Sequence, residues 1–203
     1  MSILIAYKKG DTVYMGTDTR VIVGGCKRNE LGECNYKIQK LDNGILVGVV
    51  GERMERQTLL ANAEELFTLD KNGELTKKHI VKEIIPNLYG LLYTEKLMVE
   101  KDDELPYMKA DILLAYKDTF YQICTCFMVI KYEDFQALGP GVAACAQATL
   151  LNTKETDDIN ARIVKALKIA AKHSQKVGAP YLLIDTKDQK YTLVKGDEEW
   201  LLQ

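Results

Sequence analysis

The pattern of apolar and polar residues predicts strands at three places along the chain. Residues 3–7, 45–50 and 112–116 are continuously apolar, which predicts strands that are covered on both faces. Polar turns that contain glycine, at residues 8–11 and 42–44, predict hairpins. The first and second hairpins therefore fall within the first fifty residues.

Segments with the apolar periodicity of helices lie between these strands. Apolar residues recur every three or four positions in four segments, at about residues 54–69, 76–92, 142–151 and 159–171. A closing hairpin is predicted from residues 180–184 and 191–194. Since the strands need cover on both faces, the order of strands, two helices, strands, two helices and strands predicts an α+β fold. Its form is a four-layer αββα sandwich.

Composition narrows the class of protein. The 203 residues are 47% hydrophobic and carry a net charge of −2, so we expect one domain over residues 1–203 and no attraction to nucleic acid or anionic membranes. No segment approaches the roughly 18 apolar residues of a membrane helix, and no secretory leader is apparent. The five cysteines lack a disulfide or metal-ligand pattern, which favours a cytoplasmic protein without a metal or other cofactor.

Ser2 stands at the start of the first predicted strand, where a sheet would fix the position of its α-amino group. If Met1 is removed, Ser2 carries a hydroxyl and a free amine on one residue. A serine hydroxyl needs a base, and an α-amino group with a pKa of roughly 7.7–8.0 suits that role near neutral pH. Lys37, in the predicted strand 35–41, would lower that pKa as a neighbouring cation. The alternative is that Ser2 is an ordinary second residue and that Lys37 is a solvated strand lysine.

Four segments resemble motifs of proteasome β-type subunits and of the HslV peptidase, which are N-terminal nucleophile (Ntn) hydrolases. They are the first hairpin at 16–20, the lysine strand at 36–41, the glycine strand at 46–51 and the turn at 137–141. Asp18 follows Ser2 by sixteen positions, the family's spacing between nucleophile and acid. The resemblance covers nearly the whole chain and implies the same αββα sandwich.

The resemblance also implies roles for individual residues. Ser2 would be the nucleophile, Asp18 the acid that orients Lys37, and the Gly48 amide an oxyanion donor. Without the resemblance, the simpler interpretation is preferred for both residues: Asp18 is a turn or strand-end carboxylate paired with Arg20, and Gly48 is a bulge. Three residues would form an apolar pocket for the side chain before the cut, namely Val21, Leu46 and Val50.

The resemblance further implies a peptide or unfolded-protein substrate, a homo-oligomeric ring and an ATP-dependent unfoldase partner. The chain departs from the family pattern at two places. The family's turn serine is Pro140 here, and residues 172–178 contain no carboxylate to match the family's late aspartate. Two alternative functions stay open. One is a non-catalytic ring or interaction protein that keeps the fold, and the other is an amidase that acts on a small amide.

Overall fold

A computed structural model describes residues 2–101, 105–153, 158–196 and 200–202. The strands, numbered in chain order, are β1 Leu4–Lys9, β2 Thr12–Asp18, β3 Arg20–Val23, β4 Cys26–Asn29, β5 Ile38–Lys40, β6 Leu46–Gly51, β7 Ala110–Tyr116, β8 Thr119–Ile123, β9 Val129–Tyr132, β10 Phe135–Leu138, β11 Tyr181–Asp185, β12 Thr192–Val194 and β13 Trp200–Leu202. The helices are α1 Arg53–Ala61, α2 Ala63–Leu66, α3 Lys77–His79, α4 Ile85–Thr94, α5 Ala143–Asn152 and α6 Ile159–His173. Among the described residues, no helix has the length and apolar character needed to cross a membrane.

Two main sheets contain the predicted hairpins. The first has the strand order β10-β1-β2-β11-β12-β13, and the second has the order β5-β6-β7-β8-β9. Neighbouring strands in both sheets are antiparallel. The short β3–β4 hairpin follows β2 directly and stands apart from both sheets. The hairpins predicted at residues 8–11 and 42–44 are confirmed, since β1 pairs with β2 and β5 with β6.

The second predicted helical segment is continuous but not uniform. The Thr76 side chain caps α3, and a π-helical turn, Ile80–Ile84, then joins α3 to α4. Pro86 lies in the first turn of α4. Because proline has no N–H and its ring crowds the preceding turn, the widened turn just before α4 accommodates Pro86 in this continuous helical segment.

Three apolar cores separate four layers. One core lies between α1–α4 and the five-stranded sheet, with Leu59, Ile84, Leu88 and Leu92 among its members. The second fills the space between the two sheets. The third lies between the six-stranded sheet and α5 and α6, with Ile163 and Leu167 on the helix side. The αββα sandwich predicted from the sequence is therefore confirmed.

Strand β6 presents a different set of side chains to each layer. Leu46 and Val50 face the other sheet, whereas Val47 and Val49 face the helices, as the period of two along a strand requires. Gly48 is on the inter-sheet face, where a Cβ atom would lie 2.7 Å from Leu4 Cδ2. The absence of a side chain at Gly48 thus allows the two sheets to approach each other.

Candidate active site

Ser2 is held in place through the residue that follows it. The Ile3 N–H donates to Asp18 Oδ1 at 3.1 Å, and the Ile3 carbonyl accepts from the Thr17 hydroxyl at 2.6 Å. Both donor and acceptor side chains come from the end of β2, and both are fully buried. The backbone at the start of β1 is therefore fixed on both its N–H and its carbonyl side, and Ser2, itself 2% exposed, is held at a defined point.

Asp18 and Lys37 form an ion pair beneath Ser2. Lys37 Nζ lies 2.9 Å from Asp18 Oδ1 and also donates to the Arg20 carbonyl at 2.9 Å. The side chains are 0% and 1% exposed for Asp18 and Lys37. Burial lowers the pKa of the Lys37 ammonium, and the adjacent Asp18 carboxylate opposes that effect. The alternative pairing of Asp18 with Arg20 is not what the structure contains, because the Arg20 side chain donates to the Val177 carbonyl.

One oxygen of the Asp18 carboxylate lacks a hydrogen-bond partner among the described residues. Oδ1 accepts from both Ile3 and Lys37, but Oδ2 is buried and makes no hydrogen bond within the described part of the chain. Met1, whose removal would free the α-amino group of Ser2, is outside the described residues. A buried carboxylate oxygen without a donor is costly to desolvate, so Oδ2 is the one polar atom of the Asp18–Lys37 pair that still lacks a hydrogen bond among the described residues.

The turn at residues 139–141 packs directly against Ser2. Gly139 has φ +145°, and a Cβ at this position would overlap the carbonyl oxygen of Ser2. The next residue, Pro140, offers neither a hydroxyl nor an N–H, so this turn contacts the site through the Gly139 backbone. α5 begins shortly after, at Ala143.

A cleft of about 350 Å³ opens beside Ser2. Its lining comes from the start of β1, from β3, from the end of β6, from the start of α1 and from the segment after α6. The lining residues are Ser2, Arg20, Val21, Ile22, Gly51, Glu52, Arg53, Arg56 and Lys176. Within the described residues, no group of three or more His, Cys, Asp or Glu side chains could hold a metal ion.

Gly51, not Gly48, presents its backbone to this cleft. The Val49 N–H donates to the Lys37 carbonyl, so Val49 faces β5, and the adjacent Gly48 faces β7, opposite Leu113. Gly51 lies two residues after Val49, so its N–H is directed to the same edge of β6 as the Val49 N–H. Opposite Gly51 this edge is not covered by β5, because the chain before Lys37 is a 3₁₀ turn, Glu33–Asn35. The Gly48 amide predicted as an oxyanion donor is thus directed into the sheet, and the Gly51 amide is directed toward the open edge.

The three residues predicted to form an apolar substrate pocket are separated in the structure. Val21 lines the cleft. Leu46 and Val50 are buried between the two sheets, because they share the inward face of β6. That assignment is corrected: the cleft contains Val21 and Ile22 together with charged side chains that the sequence analysis did not identify, among them Arg53 and Arg56.

The segment that lacks the family's late carboxylate is tied to the cleft by Arg20. The Arg20 guanidinium donates to the Val177 carbonyl at 2.9 Å and lies so close to Gly178 that a Cβ there would overlap it. Lys176 lines the cleft from this segment. Lys176, a cation, therefore lies in the segment where the resemblance implies a carboxylate.

Glu55 is a buried carboxylate in α1, between the lining residues Arg53 and Arg56. Glu55 of α1 is 1% exposed, and both its oxygens accept from the Lys109 N–H, at 3.0 and 2.9 Å. The Lys109 carbonyl in turn accepts from the Glu52 N–H. Burial raises the pKa of Glu55 to about 7.

We expect Glu55 to make stability depend on pH. Its pKa is raised on folding from 4.5 to about 7, so its contribution is fully present below pH 4.5 and is lost as the pH rises through 7, by up to roughly 3 kcal/mol. Glu55→Gln removes that titration. Thermal unfolding at pH 5 and pH 8 should therefore show a smaller loss of Tm in the variant than in the wild type. An equal loss in both would contradict the shifted pKa.

Comparisons with known proteins give structural matches only. No protein-family model and no curated protein sequence matches this chain. BPH from Thiobacillus denitrificans, which is also known in complex with epoxomicin, is 19% identical, with a TM-score of 0.70 over 90% of this chain and 96% of BPH. Eukaryotic HslV from Trypanosoma brucei is 16% identical, with a TM-score of 0.60 over 90% of this chain and 98% of HslV.

A third similar structure is a Gly-1 mutant of Anbu from Hyphomicrobium sp. strain MC1. It is 11% identical, with a TM-score of 0.71 over 98% of this chain and 89% of Anbu. The matches span nearly the full length of each partner. The chain therefore has the proteasome- and HslV-like Ntn fold.

Proposed function

We propose that this protein is a peptidase that uses Ser2 as its nucleophile after Met1 has been removed. The observation that carries the proposal is the position of Asp18. One of its oxygens joins the backbone next to Ser2 to the Lys37 ammonium, 3.1 and 2.9 Å away. A strand-end serine, a buried acid and a buried lysine are thereby brought together, which a purely structural ion pair does not require.

Each group has a part in the proposed reaction. The freed α-amine of Ser2 accepts the proton of its own hydroxyl while Oγ attacks the peptide carbonyl. The Lys37 cation favours the neutral form of that amine, and Asp18 holds Lys37 in place. The amine then gives the proton to the leaving amino group, and an ester to Ser2 remains. Water, deprotonated by the same amine, hydrolyses that ester and restores the site.

Gly51 is the oxyanion donor in this proposal. Its N–H is directed to the side of β6 that β5 leaves open, and Gly51 lines the same cleft as Ser2. A preorganised backbone donor of this kind typically contributes about 3–4 kcal/mol to a transition state. This assignment replaces the one that the sequence analysis gave to Gly48.

The substrate is proposed to bind as an extended strand along β3. Among the described residues, β3 is paired only with β4, and Val21 and Ile22 line the cleft. An extended peptide added to a free strand edge obtains main-chain hydrogen bonds without a specific sequence. Unfolded protein segments are therefore suitable substrates, and a homo-oligomeric ring is the assembly that we propose from the similarity to HslV.

A second candidate is a non-catalytic protein that keeps the fold. It is favoured by Pro140 in place of a hydroxyl-bearing residue and by Lys176 in the segment without a carboxylate. In that case the Asp18–Lys37 pair would serve only to anchor the start of β1.

Labelling by electrophilic peptides distinguishes the two candidates. We expect intact mass spectrometry of the full chain to show loss of Met1, and peptide mapping to show one adduct on the peptide that begins with Ser2. Ser2→Ala should abolish the adduct. Ser174→Ala is the matched control because Ser174 is the only other serine in the sequence, and this variant should be labelled like the wild type.

Retention of Met1 on all molecules, or labelling that persists in Ser2→Ala, would contradict the proposed peptidase. Removal of Met1 without any labelling or peptide cleavage would favour the non-catalytic protein. Cleavage of small amides without cleavage of peptides would favour an amidase.

A further inference from the structure

The cleft beside Ser2 is strongly cationic in a chain whose net charge is −2. Four of its lining side chains are basic, and one is acidic. The basic residues are Arg20, Arg53, Arg56 and Lys176, and the acidic one is Glu52. Glu52 is paired with Lys109 at 3.0 Å, so it does not offset the four cations inside the cleft.

Two of the four cations are committed to the protein itself. Arg20 donates to the Val177 carbonyl. Arg56 is 3% exposed and forms an ion pair with Glu30. Glu30 therefore offsets the charge of Arg56, and the geometry of both side chains is fixed by these contacts.

Arg53 and Lys176 are accessible. Half of the Arg53 side chain, 49%, is exposed, and only its Nε contacts Glu30, at 3.3 Å. Lys176 is exposed on the opposite segment. An Arg guanidinium has five N–H donors arranged to bind a carboxylate in two places, so Arg53 can hold a second carboxylate in addition to its contact with Glu30.

Building on the proposed function, we infer that the cleft selects peptides with an acidic side chain in the residue immediately before the scissile bond, and that Arg53 is the specificity-determining contact. That residue becomes the acyl group on Ser2, so its side chain is held closest to the cleft through both chemical steps. A cleft of about 350 Å³ accommodates one such side chain. Basic side chains are disfavoured by the two accessible cations, Arg53 and Lys176.

Fluorogenic peptide amides test this inference. Three substrates differ only in the residue before the fluorophore, which is Glu, Gln or Lys. We expect the wild-type kcat/KM to be about tenfold higher for Glu than for the isosteric Gln, as for a charge-assisted contact. Higher salt should reduce that ratio, because the pair is partly exposed.

Substitutions at Arg53 supply the decisive comparison. Arg53→Gln should bring the Glu-to-Gln ratio close to one, and Arg53→Glu should make the Lys substrate better than the Glu substrate. The gain of Lys cleavage cannot come from misfolding. Lys82→Gln is the matched control, since it removes one exposed cation from the π-helical turn outside the cleft. It should leave the ratio unchanged.

A binding measurement keeps this test separate from the test of catalysis. Ser2→Ala is used with labelled, uncleaved peptides that end in Glu or Gln, and affinity is read by fluorescence anisotropy. Tighter binding of the Glu peptide, lost in Ser2→Ala, Arg53→Gln, supports the inference even if no cleavage is seen. Equal affinities, or cleavage of all three substrates at equal rates, would overturn it and leave the peptidase proposal standing.

Discussion

Lys37→Met is expected to reduce peptide hydrolysis by on the order of 10³-fold, because it removes the cation that favours a neutral amine at Ser2. It should also destabilise the fold. Asp18 would keep a fully buried carboxylate without its partner, which typically costs about 3–5 kcal/mol. The measurements are kcat/KM for a peptide amide and unfolding by denaturant. Lys40→Met is the control, because Lys40 lies close by at the end of β5 but is exposed.

A double variant separates the effect on catalysis from the effect on stability. In Asp18→Asn, Lys37→Met neither member of the buried pair carries a charge, and the Asn oxygen can still accept from the Ile3 N–H. We expect this variant to recover most of the lost stability while its activity stays absent. Recovery of activity together with stability would mean that Lys37 has only a structural role and would contradict the proposed mechanism.

Gly139→Ala is the second substitution with a large expected effect. The added Cβ would overlap the Ser2 carbonyl oxygen, and the positive φ of +145° is unfavourable for alanine. Ser2 or the turn must move, and a displacement of about 1 Å at a nucleophile can reduce the rate roughly 100-fold. The measurement is the rate at which an electrophilic peptide labels Ser2, with Tm determined in parallel.

Gly141→Ala is the matched control for this substitution. Gly141 also has a positive φ, of +76°, but a Cβ there meets nothing within 4 Å. It should therefore lose about 1–2 kcal/mol through backbone strain while the labelling rate is kept. Equal loss of labelling in the two variants would show that the turn acts through general strain and not through contact with Ser2.

The layers of the fold could be predicted from the sequence because they depend on patterns that are local. Continuous apolar runs identify strands covered on both faces, and the three-to-four-residue period identifies the helices. The turn at residues 42–44 even sets the register of the β5–β6 hairpin, in which Leu41 pairs with Ile45. Ser2, Asp18 and Lys37 are likewise brought together in the structure.

Gly48 was assigned as the oxyanion donor from the resemblance, without use of the register of the β5–β6 hairpin. Gly48 and Gly51 lie three positions apart on one strand, so their amides face opposite edges. Counting from the turn at 42–44 places Lys37 opposite Val49, and this count was sufficient to show that Gly51 faces the edge beyond the end of β5. The orientation of the Gly51 amide could therefore be predicted from the sequence, but only from the register of the hairpin and not from the resemblance alone.

The charge of the cleft could not be predicted in the same way. Arg53 and Arg56 are charged residues of a predicted amphipathic helix, where a charge normally indicates a solvent-exposed position, although Arg56 is buried in the structure. Lys176 comes from a segment more than one hundred residues away. Only the tertiary fold brings these cations to Ser2, whereas Leu46 and Val50, which the sequence analysis placed in a pocket, are covered by the six-stranded sheet.

The two hydrogen bonds that hold the backbone of Ile3 have a practical consequence for the production of this protein. Because Thr17 and Asp18 hold both the carbonyl and the N–H of Ile3, the backbone next to Ser2 has a fixed position. An affinity tag fused directly in front of Ser2 would convert its α-amine into an amide, which cannot accept a proton from the hydroxyl. Preparations intended for assay should therefore carry their tag at the other terminus.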